Sequence, residues 1–594
     1  MHSPDPASSY ENSGVFESDL KRGDALGLQR RLEMARETLN PAAADGASVS
    51  EPRGSASQRV IGRLVSLNGT RGVIDCRLDP AGEDWSVGHL ITIAHRNARL
   101  VGVVCEVATV DGKWSEGEAN LARVTFELGG EIIDQAPDPA LFNRGVASFP
   151  SLGAIVHRIR AEDLRSIYTF RGKQGVEIGR LSQNSGIPAE VSIDQMIARH
   201  FAVPGSTGVG KTTAATLLIG SAIAARPNLR VLVLDPHNEY AAHFPGIAQV
   251  IDAESLELPI WMFRFDELAD IIFSGRPPHP EERDALYELI QTAKTNFRGG
   301  AGSATVSVLR RKLSVDGAAV TPDTPSPFRI ADVVATIDEW LGKLEHPYPR
   351  SDLRALRARL DGLSRDNRYK FMFGGRSGLE EDVALVLSRI FRIPTGGLPI
   401  TIVNLAGLPN EVVNSVVSVL ARLAFEVAFW CSGSFEVTLI CEEAHRYIPS
   451  GQEQDFAPVR RAIGRIAKEG RKYGASLCVI SQRPSELDPT VLSQCSTTFA
   501  MRLPNDNDKK IIADAVGASA LSMIALLPSI ADREAIAFGE AMAMPMRMKF
   551  SDVTLQSKER RPSASDAAPI DLTRLSRQFR DGTRNNKADP TGSP

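Results

Sequence analysis

The sequence predicts an α/β protein in which a small all-β domain precedes a parallel sheet covered by helices. Three observations predict it. Between Arg59 and about Leu181, short apolar runs (Val60–Val65, Leu90–Ile93, Leu100–Val104) alternate with Gly, Asn and Asp turns, the spacing of a barrel or sandwich. From His200 onward, strand-length apolar runs alternate with helix-length ones, which implies parallel strands joined by helical crossovers. Where that alternation begins, a glycine-rich turn at residues 205–212 lies between a strand and a helix.

A chain of 594 residues is too long for one core, so several domains are expected. With 43% hydrophobic and 24% charged residues, most of it should be globular. No apolar run stands out as reaching the roughly 20 residues of a bilayer span. Residues 1–6 (MHSPDP) carry no signal-peptide pattern, so a cytoplasmic protein with no membrane contact is expected. The cysteines (Cys76, Cys105, Cys431, Cys441, Cys478, Cys495) show no C-x-x-C spacing, which favours buried reduced thiols over a structural zinc site. A net charge of −4 argues against a nucleic-acid coat protein, yet is compatible with a ring that has a basic pore and an acidic outside.

Taken in order, residues 1–56 are rich in Ser, Pro, Ala and Gly and read as disordered, with one short helical stretch at Leu20–Leu39. Residues 57–181 form the all-β domain. Residues 182–555 form the α/β domain, with a helical insertion at about 261–395 broken by Gly and Pro near 299–302 and 322–327. Its strands are expected at His200–Pro204, Leu229–Asp235, Pro399–Asn404, Glu436–Cys441, Ser476–Ser481 and Thr497–Met501, and its helices at Thr212–Ala225, Asn410–Trp430 and Ala457–Lys472. Residues 556–594 are polar and read as a disordered tail.

The segment Gly205-Ser206-Thr207-Gly208-Val209-Gly210-Lys211-Thr212 fits the P-loop pattern, followed by Thr213 in the first helical turn. Its glycines let successive backbone N–H groups turn towards a β-phosphate, and the helix N-terminus adds partial positive charge. Lys211 would reach the β- and γ-phosphates of ATP, and Thr212 would ligate Mg2+. The acidic partner is expected where an apolar strand ends in two carboxylates, Glu442 and Glu443: Glu442 beside the magnesium, Glu443 polarising the attacking water. Asp235, ending another strand, is the weaker candidate, because sheets with a catalytic glutamate place a further strand between the two motifs. Gln482 ends the next strand, where a polar group either senses the γ-phosphate and positions water or merely starts a loop.

These motifs together resemble the HerA branch of the HerA/FtsK superfamily of DNA-pumping ATPases. The matching stretches are Arg199–Thr212, Leu234–Tyr240 (LDPHNEY), Cys441–His445 (CEEAH), Arg465–Gly474 (RIAKEGRKYG) and Ile480–Ser485 (ISQRPS), spread over residues 59–552. The resemblance implies a RecA-like P-loop ATPase core preceded by a HAS-type barrel, joined at Ile178–Ser182. It implies a homo-hexameric ring around double-stranded DNA, with each ATP at a subunit boundary completed by a neighbour's arginine finger. Arg471 and Arg465 are the candidates for that finger, and Arg199, just before the P-loop strand, for a cis partner of the nucleotide. Two departures stand out. Glu442 replaces the more usual Asp, and Asn238 replaces a frequent Gly, at a position where Asn tolerates a left-handed backbone.

Arg461, Arg465, Lys468 and Lys472 fall on one helical face, which could meet phosphate, a DNA backbone or plain water. The cluster Arg354, Arg357, Arg359, Arg365, Arg368 and Lys370 fits a phosphate tracker or a solvated helix equally well. The resemblance implies an ATP-driven translocase or helicase that works with a partner nuclease or another effector in DNA end processing or antiphage defence. Two alternatives stay open: an ATP-gated scaffold that activates an effector without translocating, and a protein-pumping secretion-type ATPase.

Overall fold

The structure, a computed structural model, describes residues 60–78, 85–110, 112–116, 120–133, 141–170, 175–273, 277–298, 320–373, 383–394, 396, 398–431, 433–451, 457–515, 518–552 and 570–581. The chain separates into Met1–Arg59 and Val60–Pro594. The expectations for residues 1–56 lie outside the described residues.

Seven antiparallel strands come first: β1 (Val60–Asn68), β2 (Arg71–Leu78), β3 (Leu90–His95), β4 (Ala98–Thr109), β5 (Asn120–Ile133), β6 (Leu141–Arg144) and β7 (Ile155–Arg158). Their order is β2-β1-β7-β3-β4-β5-β6, and a further β2–β5 pairing, from Arg71 opposite Glu127 to Leu78 opposite Asn120, closes six of them into a barrel. Alternate residues point inward, so Leu64, Ile74, Ile93, Val124, Phe126 and Val156 are almost fully buried. Gly72 and Gly102 are required here: a Cβ on either would lie 2.3 or 2.7 Å from the Phe126 ring.

The large sheet holds β8 (Gly175–Leu181), β9 (Asn184–Ser192), β10 (Phe201–Pro204), β11 (Leu229–Asp235), β12 (Ala248–Ile251), β13 (Ile400–Asn404), β14 (Glu436–Cys441), β15 (Ala475–Ser481), β16 (Thr497–Ala500), β17 (Glu534–Gly539) and β18 (Met546–Phe550). Its order is β12-β13-β11-β14-β15-β10-β16-β17-β18-β8-β9; the first seven run parallel and the last four antiparallel. Thus β8, read from the sequence as part of the all-β domain, instead pairs with β18 in the large sheet, and β9 extends it. Alternation predicts a strand but not its partner. The two domains meet where the Arg144 guanidinium donates to the carbonyls of Gly539 (2.5 Å), Met542 (2.6 Å) and Ala543 (3.0 Å), in the turn between β17 and β18.

Between β12 and β13 the described residues are mainly helical: Phe265–Ile272, Pro280–Arg298, Ile330–Gly342, Arg350–Arg365 and Val383–Phe391. A buried charge network ties the first of them to the core helix Asn410–Trp430. Arg422 contacts Glu267 at 3.0 Å and Glu426 at 3.2 Å, and the Ser418 hydroxyl donates to Glu267 at 2.9 Å. Burial alone would lower the Arg422 pKa, but the two carboxylates hold it above its ordinary value. The sequence expectation about apolar runs is corrected here. Val412–Trp430 is long and apolar enough to cross a bilayer, but 83% of it is buried, the fate of a core helix packed under a sheet.

Two further differences concern helix ends. The helix expected at Ala457–Lys472 ends at Glu469, followed by a 3₁₀ turn at Gly470–Lys472. A Cβ on Gly470 would lie 2.3 Å from the Ala475 carbonyl, so chain reversal leaves no room for another α turn. In the tail read as disordered, Leu572–Asp581 is a helix. Asp571 accepts from the Thr573 and Arg574 N–H groups, and Leu575 is buried.

His200 precedes β10 in a left-handed conformation (φ 60°) that its buried ring stabilises. The Leu477 N–H donates to Nδ1 at 3.0 Å, and Nε2–H donates to the Ala467 carbonyl at 3.0 Å. The ring is therefore neutral, and burial pushes its pKa from 6.5 down to about 4, the Ala467 bond opposing this. A depressed histidine contributes stability that is fully present above the unfolded value and is lost as pH falls through the folded one. The expected outcome is a fall of about 3 kcal/mol in unfolding free energy between pH 6.5 and 4 from this group. Urea unfolding of His200→Gln should show a correspondingly flatter pH dependence; identical slopes would refute it.

Candidate nucleotide site

The strand order builds the site. The P-loop strand β10 lies between β15 and β16, and β14 is one strand further out, as expected for a sheet with a catalytic glutamate. The C-terminal ends of β10, β15, β14 and β11 therefore present, side by side, residues 205–212, Gln482, Glu442 with Glu443, and residues 235–240.

In the P-loop, Gly208 (φ 77°) and Gly210 (φ 97°) take left-handed conformations that turn successive N–H groups to one side. The loop is held from both flanks. The Ser206 N–H donates to the Arg502 carbonyl at 2.9 Å, and the Arg533 N–H donates to the Val209 carbonyl at 2.9 Å. Lys211 is 6% exposed, and its Nζ donates to the Ser206 carbonyl at 3.1 Å. Burial lowers its pKa, while Glu443, Glu442 and Glu239 pull it the other way.

Opposite stands Glu443, buried and left-handed (φ 49°), a strained conformation for a residue other than glycine. Its Oε1 accepts from the Gln482 amide, whose Oε1 in turn accepts from the Thr207 hydroxyl at 2.5 Å. Gln482 thus links the P-loop to the candidate base. Glu443 Oε2 is buried without a hydrogen bond, 3.4 Å from His445 Nδ1, which leaves a lone pair to receive a water proton. Burial lowers the His445 pKa, and the neighbouring Glu443 opposes that shift.

Glu442 is also buried, and its Oε2 accepts from the Tyr240 hydroxyl at 2.5 Å. Burial raises its pKa from 4.5 to about 7, a shift that the Tyr240 bond opposes. Tyr240 and Glu239 belong to a loop clamped by Asp235, whose carboxylate accepts from the N–H groups of His237, Glu239 and Tyr240. Asn238 is left-handed there (φ 56°), as expected. The Thr212 hydroxyl donates to Glu239 Oε2 at 2.8 Å. Among the described residues, no three His, Cys, Asp or Glu side chains are arranged to hold a metal unaided. Thr212 with Glu239 and Glu442 suits Mg2+, which takes most of its ligands from phosphates and water and needs only one or two carboxylates.

Three predicted residues lie elsewhere. Arg199 precedes β10, at the opposite end of that strand from the P-loop, and pairs with Glu540. Arg471 is exposed in the turn before β15, also at the far end. The seven residues of β15 span roughly 20 Å, so Arg471 does not meet the nucleotide of its own chain, and the pairing with Glu540 holds Arg199 at the far end of β10. Arg465 lies 4.3 Å over the Phe425 ring, in a cavity of about 420 Å³ shared with Arg264, Arg422 and Arg461. Of the other basic stripe residues, Arg461 pairs with Asp266. In the second basic cluster, Arg357, Arg365 and Arg368 pair with Asp338, Asp361 and Asp366, and Arg359 donates to the Ile272 carbonyl, which leaves less charge for phosphate. Sequence reasoning missed Glu239 and Tyr240 as site residues, although the LDPHNEY stretch contained them. It also missed Arg502 and Arg533, whose guanidinium groups pair with Asp532 and Asp552 and which no local motif marks.

Because the Glu442 pKa is raised on folding, its ionisation opposes folding as pH rises through about 7. Tyr240→Phe removes a charge-assisted hydrogen bond at pH 8 but a weaker, neutral one at pH 6. The expected loss in unfolding free energy is about 2 kcal/mol at pH 8 and less at pH 6. Equal losses at both pH values would place the role of the tyrosine elsewhere.

Residues 176–424 match the family model described as Helicase HerA, central domain. The chain is 24% identical over 512 residues to the DNA double-strand break repair helicase HerA of Pyrococcus furiosus, covering 77% of this chain and 86% of that one. It is 27% identical over 428 residues to the probable DNA double-strand break repair helicase HerA of Methanocaldococcus jannaschii, covering 65% and 78%. Among solved structures, VirB4 of Thermoanaerobacter pseudethanolicus is similar at 14% identity and a TM-score of 0.44, over 65% of this chain and 98% of that one. Family model, relatives and the P-loop core with its leading barrel agree: the chain is similar to HerA-type DNA helicases over most of its length and is an ATP-hydrolysing enzyme.

Proposed function

We propose that this chain is a cytoplasmic, homo-hexameric motor that uses Mg2+-ATP to translocate along double-stranded DNA, acting with a partner nuclease or another effector in DNA end processing or antiphage defence. The names of its relatives, DNA double-strand break repair helicases, support DNA as the polymer. One observation carries the multimeric reading. The chain assembles Lys211, Thr212, Gln482 and Glu443 at one end of the sheet, whereas Arg471 stands exposed at the other. An arginine there completes a phosphate site only in a neighbouring subunit. Arg465 is also exposed, but its guanidinium is engaged by the Phe425 ring and by Glu469, which makes it the weaker candidate for that finger.

In the proposed reaction, the P-loop N–H groups and Lys211 hold the triphosphate. Glu443, oriented by Gln482, accepts a proton from the attacking water through its unbonded oxygen. Magnesium, when bound, offsets charge on the β- and γ-phosphate oxygens.

Lys211→Ala and Glu443→Gln should each lower ATP turnover by about a hundredfold or more, and Glu443→Gln should still bind ATP. Near wild-type turnover in Glu443→Gln would remove the base assignment. Duplex DNA should stimulate wild-type turnover; stimulation only by a co-purified protein would favour the ATP-gated scaffold. Arg471→Ala should lose on the order of 10³-fold in turnover. Mixing it with Lys211→Ala subunits should restore activity, and no recovery at any ratio would count against a finger acting between subunits.

A further inference from the structure

A P-loop threonine presents a lone pair to magnesium only if its own proton is given to another acceptor. In a P-loop site that acceptor is expected to be the carboxylate at the end of the acidic strand, here Glu442. The geometry differs. Glu442 is 4% exposed, and its Oε2 already receives the Tyr240 hydroxyl at 2.5 Å. The Thr212 proton goes to Glu239 Oε2 instead, at 2.8 Å.

Glu239 is well placed for this role. Its loop is rigid: the Asp235 carboxylate accepts three N–H groups within six residues, Asn238 holds the turn in a left-handed conformation, and the buried Tyr240 ring anchors the far side. Glu239 itself is exposed, as the side chain facing a hydrated ion has to be. Glu442 is instead enclosed, and the oxygen it would offer is already committed to the Tyr240 hydroxyl.

We infer that Glu239 is the positioning carboxylate of the divalent-cation site: it accepts the Thr212 hydroxyl's hydrogen bond, which turns the hydroxyl lone pair towards the ion, and would accept a second from water bound to that ion. Glu442 then acts chiefly as a buried strut that joins the Tyr240 loop to the end of β14. This assignment rests on the Mg2+-ATP reading of the site and divides the labour among its three carboxylates: Glu443 for water, Glu239 for the hydrated ion, Glu442 for the scaffold.

The test uses the full chain and a fluorescent ATP analogue, with affinity measured in EDTA and then as a function of added Mg2+. Glu239→Ala and Glu239→Gln should bind the analogue in EDTA at least as tightly as the wild type does, because neither alters the P-loop backbone and each removes a negative charge beside the triphosphate. The Mg2+ concentration that half-saturates the complex should rise by about tenfold or more, the loss typical when a partner of a metal ligand is removed. Mn2+ substituted for Mg2+ should show the same displacement by electron paramagnetic resonance, a readout independent of turnover. A variant that also weakens binding in EDTA would mark Glu239 as merely structural and overturn the assignment. So would unchanged Mg2+ dependence in both variants with the loss appearing in Glu442→Gln. A wild-type chain whose nucleotide binding ignores Mg2+ altogether would overturn the underlying Mg2+-ATP reading as well, which separates the two failures.

Discussion

A buried cation organises this protein's working end. Lys211 is almost fully enclosed, and a buried ammonium persists only where carboxylates answer it. Those carboxylates come from two other strand ends: Glu442 and Glu443 follow β14, and Glu239 follows β11. Their convergence requires the order β11-β14-β15-β10, because each parallel strand places its C-terminal end at one edge. The hydrogen bonds from Thr207 through Gln482 to Glu443 then cross β10, β15 and β14 in register. Binding a triphosphate brings new charge against Lys211, so the same balance that stabilises the empty fold is what nucleotide perturbs.

The far edge of the sheet has its own order. His200 bonds the chain entering β10 to the helix before Arg471 and to β15. Arg199, its neighbour, pairs with Glu540 in the turn after β17. That turn also receives the Arg144 guanidinium from the barrel. A short chain of contacts therefore joins the barrel, the residue preceding the P-loop strand and the segment bearing the proposed finger. Both sheet edges belong to the same strands, so a displacement at either edge is transmitted along a rigid element.

Buried ion pairs recur where the helical insertion meets the core. Arg422 with Glu267 and Glu426 contributes little net stability by comparison with apolar packing, but it fixes one docking geometry. Breaking it from one side would strand a charge in the interior. The apolar helix Val412–Trp430 shows the same logic in reverse: its composition suits a bilayer, and its burial beneath the insertion and the sheet satisfies that composition within the fold.

By itself the sequence determined what depends on contiguous residues. Gly205–Thr212 between a strand and a helix could only be a phosphate loop, since its chemistry resides in consecutive N–H groups. The paired Glu442 and Glu443 at the end of an apolar strand, and Asn238 in a left-handed turn, were legible for the same reason. The tertiary structure alone decided which distant groups meet. Alternating polarity in Gly175–Leu181 specifies a strand and cannot name its partner, so β8 was assigned to the wrong domain. Arg199 sits near the right motif in sequence, but it pairs with Glu540 at the end of β10 away from the P-loop. Glu239 and Glu442 are both carboxylates at strand ends; that Thr212 donates to the first and Tyr240 to the second is settled by loop conformation and side-chain reach, which no local pattern encodes.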